Sequence, residues 1–197
     1  MRDERRDIRR LLGELTPEEW QRGSLCSGWS VRDVAAHLVA WDDLLLYRCR
    51  REHVIALLRF GALYAGLLGS MNLINRRLQR RTRNLDAEAL TRRFGADDGD
   101  DLKWLFDGTN PGAHLAEYVL HHQDIRRPLR LSREVPRERL VAALHGISHL
   151  PGVRLRVWRR LRVARLEATD VEWARGRGPA MSMSGEAILM SLAGRSA

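Results

Sequence analysis

Cysteine is scarce in this chain: Cys26 and Cys49 stand alone, with no Cys-x-x-Cys spacing. That excludes a disulfide framework and a zinc site built on thiolates, and it makes a reducing cytoplasm the expected compartment. Lysine is scarcer still. Lys103 is the single one, so the net charge of +9 rests on arginine. A GC-rich genome produces such a skew, and charge by itself speaks only to solubility and non-specific association. No Gly-rich phosphate loop, serine elbow or paired-carboxylate signature is present, which leaves those chemistries without their residues. The N-terminal MRDERRDIRR is charged and lacks the apolar core of a secretory signal.

What is present is globular. The 197 residues are 44% apolar and 30% charged, enough for one good core or for one domain with a small appendage. One run, VIALLRFGALYAGLLGSMNLI at 54 to 74, approaches the roughly 20 apolar residues that span a bilayer. Arg59 sits inside it, three glycines weaken it, and both flanks are basic, so no membrane span is expected. A buried bundle helix or a subunit interface is the better reading, in a monomer or a homodimer.

Along the chain, Ile8, Leu11, Leu12 and Leu15 share one helical face with arginines opposite. Thr16-Pro17-Glu18-Glu19 reads as a capping box, and Ser30-Val31-Arg32-Asp33 opens the next helix, with Val34, Leu38, Trp41 and Leu45 as its apolar stripe. Residues 86 to 94 predict a short helix, and ADDGDD at 96 to 101 an acidic loop. A helix follows Asn110-Pro111-Gly112 and stops at Pro128, and another runs from near Pro136 to before Pro151. Beyond residue 152, Val153, Leu155 and Val157 alternate with arginine and predict a strand, as does LRVARLEATDVEW. ARGRGP reads as a turn, AMSMS as a strand, and Gly185 to Gly194 as a helix. The expectation is a mainly α fold, a helical bundle over residues 1–150 with a small α/β appendage over 151–197.

Titratable groups crowd one stretch, AEYVLHHQDIRR at 116 to 127. On a helix Glu117 and His121, four apart, are neighbours on one face. His114 and Asp124 fall within about 60° of Glu117 at about 100° per residue, while His122 points elsewhere and is expected at the surface or as a supporting group. A third ligand must come from another element, and His37, inside the apolar stripe of its own helix, is the best candidate. Two imidazoles and one carboxylate suit Zn²⁺ or a similar divalent ion with one position left open. The plain alternative is a satisfied core histidine beside an ordinary helical Glu–His pair. His145 and His149 offer a rival i, i+4 pair, interrupted by Gly146. Cys26 stands just ahead of a helix start, a position that would lower its pKa, and a small half-buried loop residue is the plainer reading. Trp29 and Trp41 flank His37 and are expected to wall the same cavity.

Three stretches together, LCSGWSVRDVAAHLVAWD at 25 to 42, EYVLHHQDIRRPL at 117 to 129 and TDVEW…GRGPA…GEAILMSLAGR at 169 to 195, resemble the mycothiol-dependent maleylpyruvate isomerase family of the DinB-like metalloprotein superfamily. The resemblance implies a DinB-like four-helix bundle whose metal is bound from facing helices, with a small α/β domain after it. Its metal histidine matches His37, and its Glu-x-x-x-His ligands match Glu117 and His121. The arginine of its terminal Ala-Gly-Arg matches Arg195, a contact for an anionic substrate or the thiol, with Trp41 at the same pocket. Asp124 would then orient a ligand or pair with Arg126 or Arg127, and His114 would support the cluster.

The implied cofactors are a divalent metal, zinc first, and mycothiol or a similar low-molecular-weight thiol. The implied reaction is a thiolate adding to a cis double bond and leaving after rotation, or attacking an electrophile and staying attached as in an S-transferase. Residues 46 to 105 carry no family motif, which leaves the small-molecule substrate open. Two other readings stand beside this one: a metal-binding protein without catalysis, and a nucleic-acid-binding regulator using the arginine runs at 76 to 83 and 154 to 162.

Overall fold

The computed structural model describes residues 1–45, 82, 84–94, 110–150 and 153–195. The apolar segment 54 to 74, the acidic loop 96 to 101 and the arginine run 76 to 83, Thr82 apart, lie outside them.

Helix α1 (Arg2–Glu14) buries Ile8, Leu11 and Leu12, as its periodicity predicts. Thr16 caps α2 (Pro17–Gln21): its hydroxyl accepts from the Glu19 amide while the Glu19 carboxylate accepts from the Thr16 amide at 2.8 Å. Ser30 and Asp33 repeat the device at the start of α3 (Val31–Leu45), with the Ser30 amide donating to Asp33 Oδ2 at 2.9 Å and the Asp33 amide donating to Ser30 Oγ at 3.2 Å. A short α4 (Ala87–Arg93) is capped by Asp86. Then come α5 (Pro111–Arg126), capped by Asn110, and α6 (Arg137–Gly146), which tightens into a 3-10 turn at Ile147–His149.

One expectation is corrected here. Residues Arg154–Val163 form a helix, α7, and not a strand. Leucine and arginine are both good helix formers, and Val157 and Leu161, four apart, turn to the same side. Val157 is buried, whereas Leu155, which the alternation would have put beside it, is 52% exposed. The strand expected of the second run survives only as β1 (Arg165–Ala168). Ala174–Gly176, read as part of a turn, pairs as β2, and AMSMS supplies β3 (Ala180–Met183). The sheet order is β2-β1-β3, with β2 antiparallel and β3 parallel to β1. Helix α8 (Gly185–Leu192) follows, capped by Ser184.

The architecture is therefore mostly helical with a small C-terminal sheet. Ile8, Leu12, Val34, Leu38 and Phe94 pack from α1, α3 and the end of α4 against Tyr118 and Ile125 of α5. On the other side of α5, Ala116, Val119 and Leu120 join Leu144, Leu166, Trp173 and Ile188 in a second cluster. Helix α5 thus lies between two cores, and it buries nearly every residue from Leu115 to Ile125. Polar ties fix its setting. Arg5 donates to Asp42 Oδ2 at 2.6 Å and Tyr118 donates to Asp42 Oδ1 at 2.7 Å, joining α1, α3 and α5 in a buried trio. Gly146 meets Gly112 so closely that an added Cβ would fall 1.9 Å from the Gly112 carbonyl carbon. Only glycine permits that approach of α5 to α6.

Candidate metal centre

A helix held between two cores must bury whatever side chains it carries, and α5 carries Glu117, His121, His122 and Asp124. Burying such groups is tolerable only when they are paired. The pairs are found on both neighbouring elements.

His37 on α3 and His121 on α5 bring their rings to 4.7 Å between centroids. Both direct Nε2 at one carboxylate oxygen: Glu117 Oε1 lies 3.2 Å from His37 Nε2 and 3.1 Å from His121 Nε2. His37 is 1% and His121 5% exposed. The Glu117 side chain is 34% exposed, so the trio opens to solvent on its carboxylate side. The edges of Trp29 and Trp41 close on the His37 ring at 5.3 and 6.1 Å, the wall expected of them.

Behind His121 stands Asp124. Its Oδ2 lies 2.9 Å from His121 Nδ1. Arg195 grips the same carboxylate, donating from Nε to Oδ1 at 3.1 Å and from Nη2 to Oδ2 at 2.8 Å. Cys26 completes the group: its thiol donates to Asp124 Oδ2 at 3.1 Å and accepts from Arg195 Nη2 at 3.4 Å, with Sγ 3.8 Å from His121 Nδ1.

Local folding explains both visitors. The loop between α2 and α3 is closed by the Gly23–Ser30 bridge, turns at Gly28 (φ 75°), and is pinned to α5 by the Leu25 amide donating to the Asp124 carbonyl at 3.0 Å. Helix α8 ends in a Schellman motif: the Gly194 amide bonds back to the Ser191 carbonyl and the Arg195 amide to that of Met190. Gly194 takes φ 78°, which favours glycine, and that reversal aims Arg195 at Asp124.

Electrostatics follow from the packing. Burial pushes the Glu117 carboxyl upward, but the two imidazoles beside it prevail and hold it well below the usual carboxylate range. Burial likewise disfavours the His121 imidazolium, yet the Glu117 charge and the Asp124 hydrogen bond raise its pKa well above the ordinary value. His37 goes the other way. Burial lowers it, and its single bond to Glu117 does not compensate. Asp124 is pressed far below its ordinary value by His121 and Arg195, against its own burial.

The donor set fits a divalent cation. One nitrogen or oxygen from each of His37, Glu117 and His121 lies within 4.8 Å of the others. With Asp124 accepting from Nδ1–H, a cation that displaced the other ring proton would meet the His121 lone pair on Nε2, on the Glu117 side. Buried His37 Nδ1 has no hydrogen-bond partner among the described residues, so the ring's polar contact there is at the trio. Two nitrogens and a carboxylate with one side open is a donor set of the catalytic rather than the structural type.

The remaining expectations divide. Asp124 orients His121, but its arginine is Arg195 and not Arg126 or Arg127, which bond to His122 and Glu186. Arg195 donates to Asp124 and to the Ala193 carbonyl, with its side chain 19% exposed. His122 is fully buried rather than at the surface, with Nδ1 2.8 Å from Glu4 Oε1 and Nε2 accepting from Arg126. His114 is half-buried and feels the Glu117 charge without bonding to the trio. His145 and His149 are both exposed and form no part of the centre. Cys26, read first as a loop residue, joins the group behind His121 from its position directly before the helix that carries His37.

Residues 1–126 match the family model described as the mycothiol maleylpyruvate isomerase N-terminal domain. No curated protein and no solved structure matches the chain.

Proposed function

The chain belongs to the mycothiol maleylpyruvate isomerase N-terminal domain family, and from that premise we propose a divalent-metal enzyme that uses a low-molecular-weight thiol, mycothiol or a close analogue, as nucleophile. The observation that carries the reading is the meeting of His37, Glu117 and His121 from two helices on an opening to solvent. His37, Glu117 and His121 would hold the ion, zinc first among the candidates. A divalent ion held there would keep a coordinated thiol as thiolate near neutral pH.

The protein's own residues support this in three ways. Asp124 keeps the proton on His121 Nδ1, and Arg195 and Cys26 keep Asp124 in place. Trp29 and Trp41 shield the His37 side of the centre from water. Charge also balances. Two carboxylates, one guanidinium and a divalent ion leave a single positive charge, which one thiolate cancels. A buried site is cheapest when its charges sum to zero. His114 and Trp41 would line the approach used by the small-molecule substrate. The reaction class is cis–trans isomerisation of that substrate or S-transfer to it. The helical part over 1–150 is read as a DinB-like four-helix bundle, with 151–197 as an appendage that shares its core.

Elemental analysis of untagged protein tests the reading. About one divalent ion per chain, lost in His121→Ala and in His37→Ala, is the expected result, together with thiol-dependent conversion of an electrophilic probe. Protein that stays metal-free after incubation with Zn²⁺ would overturn it. Metal without thiol-dependent turnover would reduce it to metal binding.

A further inference from the structure

Far from the trio in composition, and sharing no residue with it, a cleft of about 910 Å³ opens between α7, the 3-10 turn and β2. It falls within the roughly 300–1,000 Å³ of small-molecule sites. Arg154 and Arg162 enter it from α7, Arg175 and Arg177 from β2 and its turn, and His149 from the 3-10 turn. Among the described residues, no aspartate or glutamate lines it.

Several arginines elsewhere are matched to carboxylates: Arg5 with Asp42, Arg127 with Glu186, Arg133 and Arg139 with Glu4, Arg195 with Asp124. Arg154, Arg162 and Arg177 have no carboxylate partner among the described residues. The four guanidiniums are solvent-exposed and gathered in one concave space, where like charges repel one another and an anion relieves that repulsion.

The cleft is also built rather than incidental. The Arg177 amide donates to the Leu161 carbonyl at 2.8 Å. Gly176, at φ 111°, lies so close to the end of α7 that an added Cβ would fall 2.2 Å from the Ala164 carbonyl oxygen. Arg175 on β2 and Arg177 in the turn beyond it flank that glycine, and both line the cleft. The wall facing them holds Trp158, 54% exposed, with the Arg162 guanidinium over its ring at 4.7 Å from the centroid.

Guanidiniums select phosphate oxygens, and an exposed indole selects a planar ring. We infer that this cleft binds a nucleotide, its phosphates on Arg154, Arg175 and Arg177 and its base against Trp158. The arginine run first read as a flat strand thus becomes one wall of a pocket. An anionic lipid surface fits less well, because the cations converge from three elements into a hollow that a bilayer plane does not enter.

Intrinsic tryptophan fluorescence and calorimetry of the full chain, titrated at low salt, give the test. The probes are a nucleoside triphosphate, inorganic triphosphate, single-stranded oligonucleotides of increasing length, and phosphatidylglycerol vesicles. Saturable binding of the nucleoside triphosphate is expected, about tenfold tighter than inorganic triphosphate from base stacking. Trp158→Ala should remove that tenfold margin and leave triphosphate binding intact. The exposed pair Arg154→Glu with Arg177→Glu should abolish both, at unchanged circular dichroism and metal content. Affinity independent of oligonucleotide length assigns a free nucleotide, and affinity that grows with length assigns the same chemistry within a strand. Equal affinity for inorganic and nucleoside triphosphate, vesicle binding without nucleotide binding, or no binding at all would each overturn the proposal.

Discussion

His121 meets a carboxylate at each ring nitrogen, Asp124 at Nδ1 and Glu117 at Nε2. The Glu117 partnership was legible in the sequence because helical geometry places residues four apart side by side. The Asp124–Arg195 fork was not, since 71 residues separate its members and only the tertiary fold joins them. Asp124→Asn keeps the shape and loses the charge that fixes the tautomer. It should weaken zinc affinity by about 10- to 100-fold, read by competition with a chromophoric chelator. A second buried carboxylate, Glu4, makes a pH prediction. Burial opposes its ionisation, but His122 and Arg133 bring its pKa down from 4.5 to about 2. A depressed carboxylate stabilises the fold above its unfolded pKa and loses that contribution as pH falls through the folded one. Acid unfolding should therefore show about 3 kcal/mol lost between about pH 4.5 and 2. In Glu4→Gln that part of the slope should vanish.

At the scale of elements, caps and turns were the most legible features, because they are set by two or three neighbouring residues. Thr16 with Glu19 and Ser30 with Asp33 behave as their spacing predicts. Helix α7 was not legible in the same way. Its apolar residues alternate by accident with arginines, and the helix buries Val157 while leaving Leu155 out. What decides such a run is the neighbour it packs against, which a short window does not contain. Close packing is similarly silent. Gly146 looks in the sequence like a helix breaker between two histidines, yet it is where α6 lies against the Gly112 backbone. Gly146→Ala should cost about 1–3 kcal/mol through overpacking. A thermal melt should show it as a fall of very roughly 2–12 °C.

For the whole molecule, the order of the described elements up to α6 could be read along the chain, but not the way α5 is enclosed. Its sequence shows no single apolar stripe, because two cores claim opposite sides of it. That enclosure couples the centre to global stability. Zinc at about a hundredfold its dissociation constant should add about 2.7 kcal/mol, a rise in Tm of roughly 5–11 °C over chelator-treated protein. The increment should be absent in His37→Ala. The contact between Cys26 and Arg195 spans 169 residues. The support behind His121 is therefore a seam between the loop ahead of α3 and the end of α8. A cut that freed the end of α8 would take Arg195 from Asp124 while all three ligands stayed on α3 and α5.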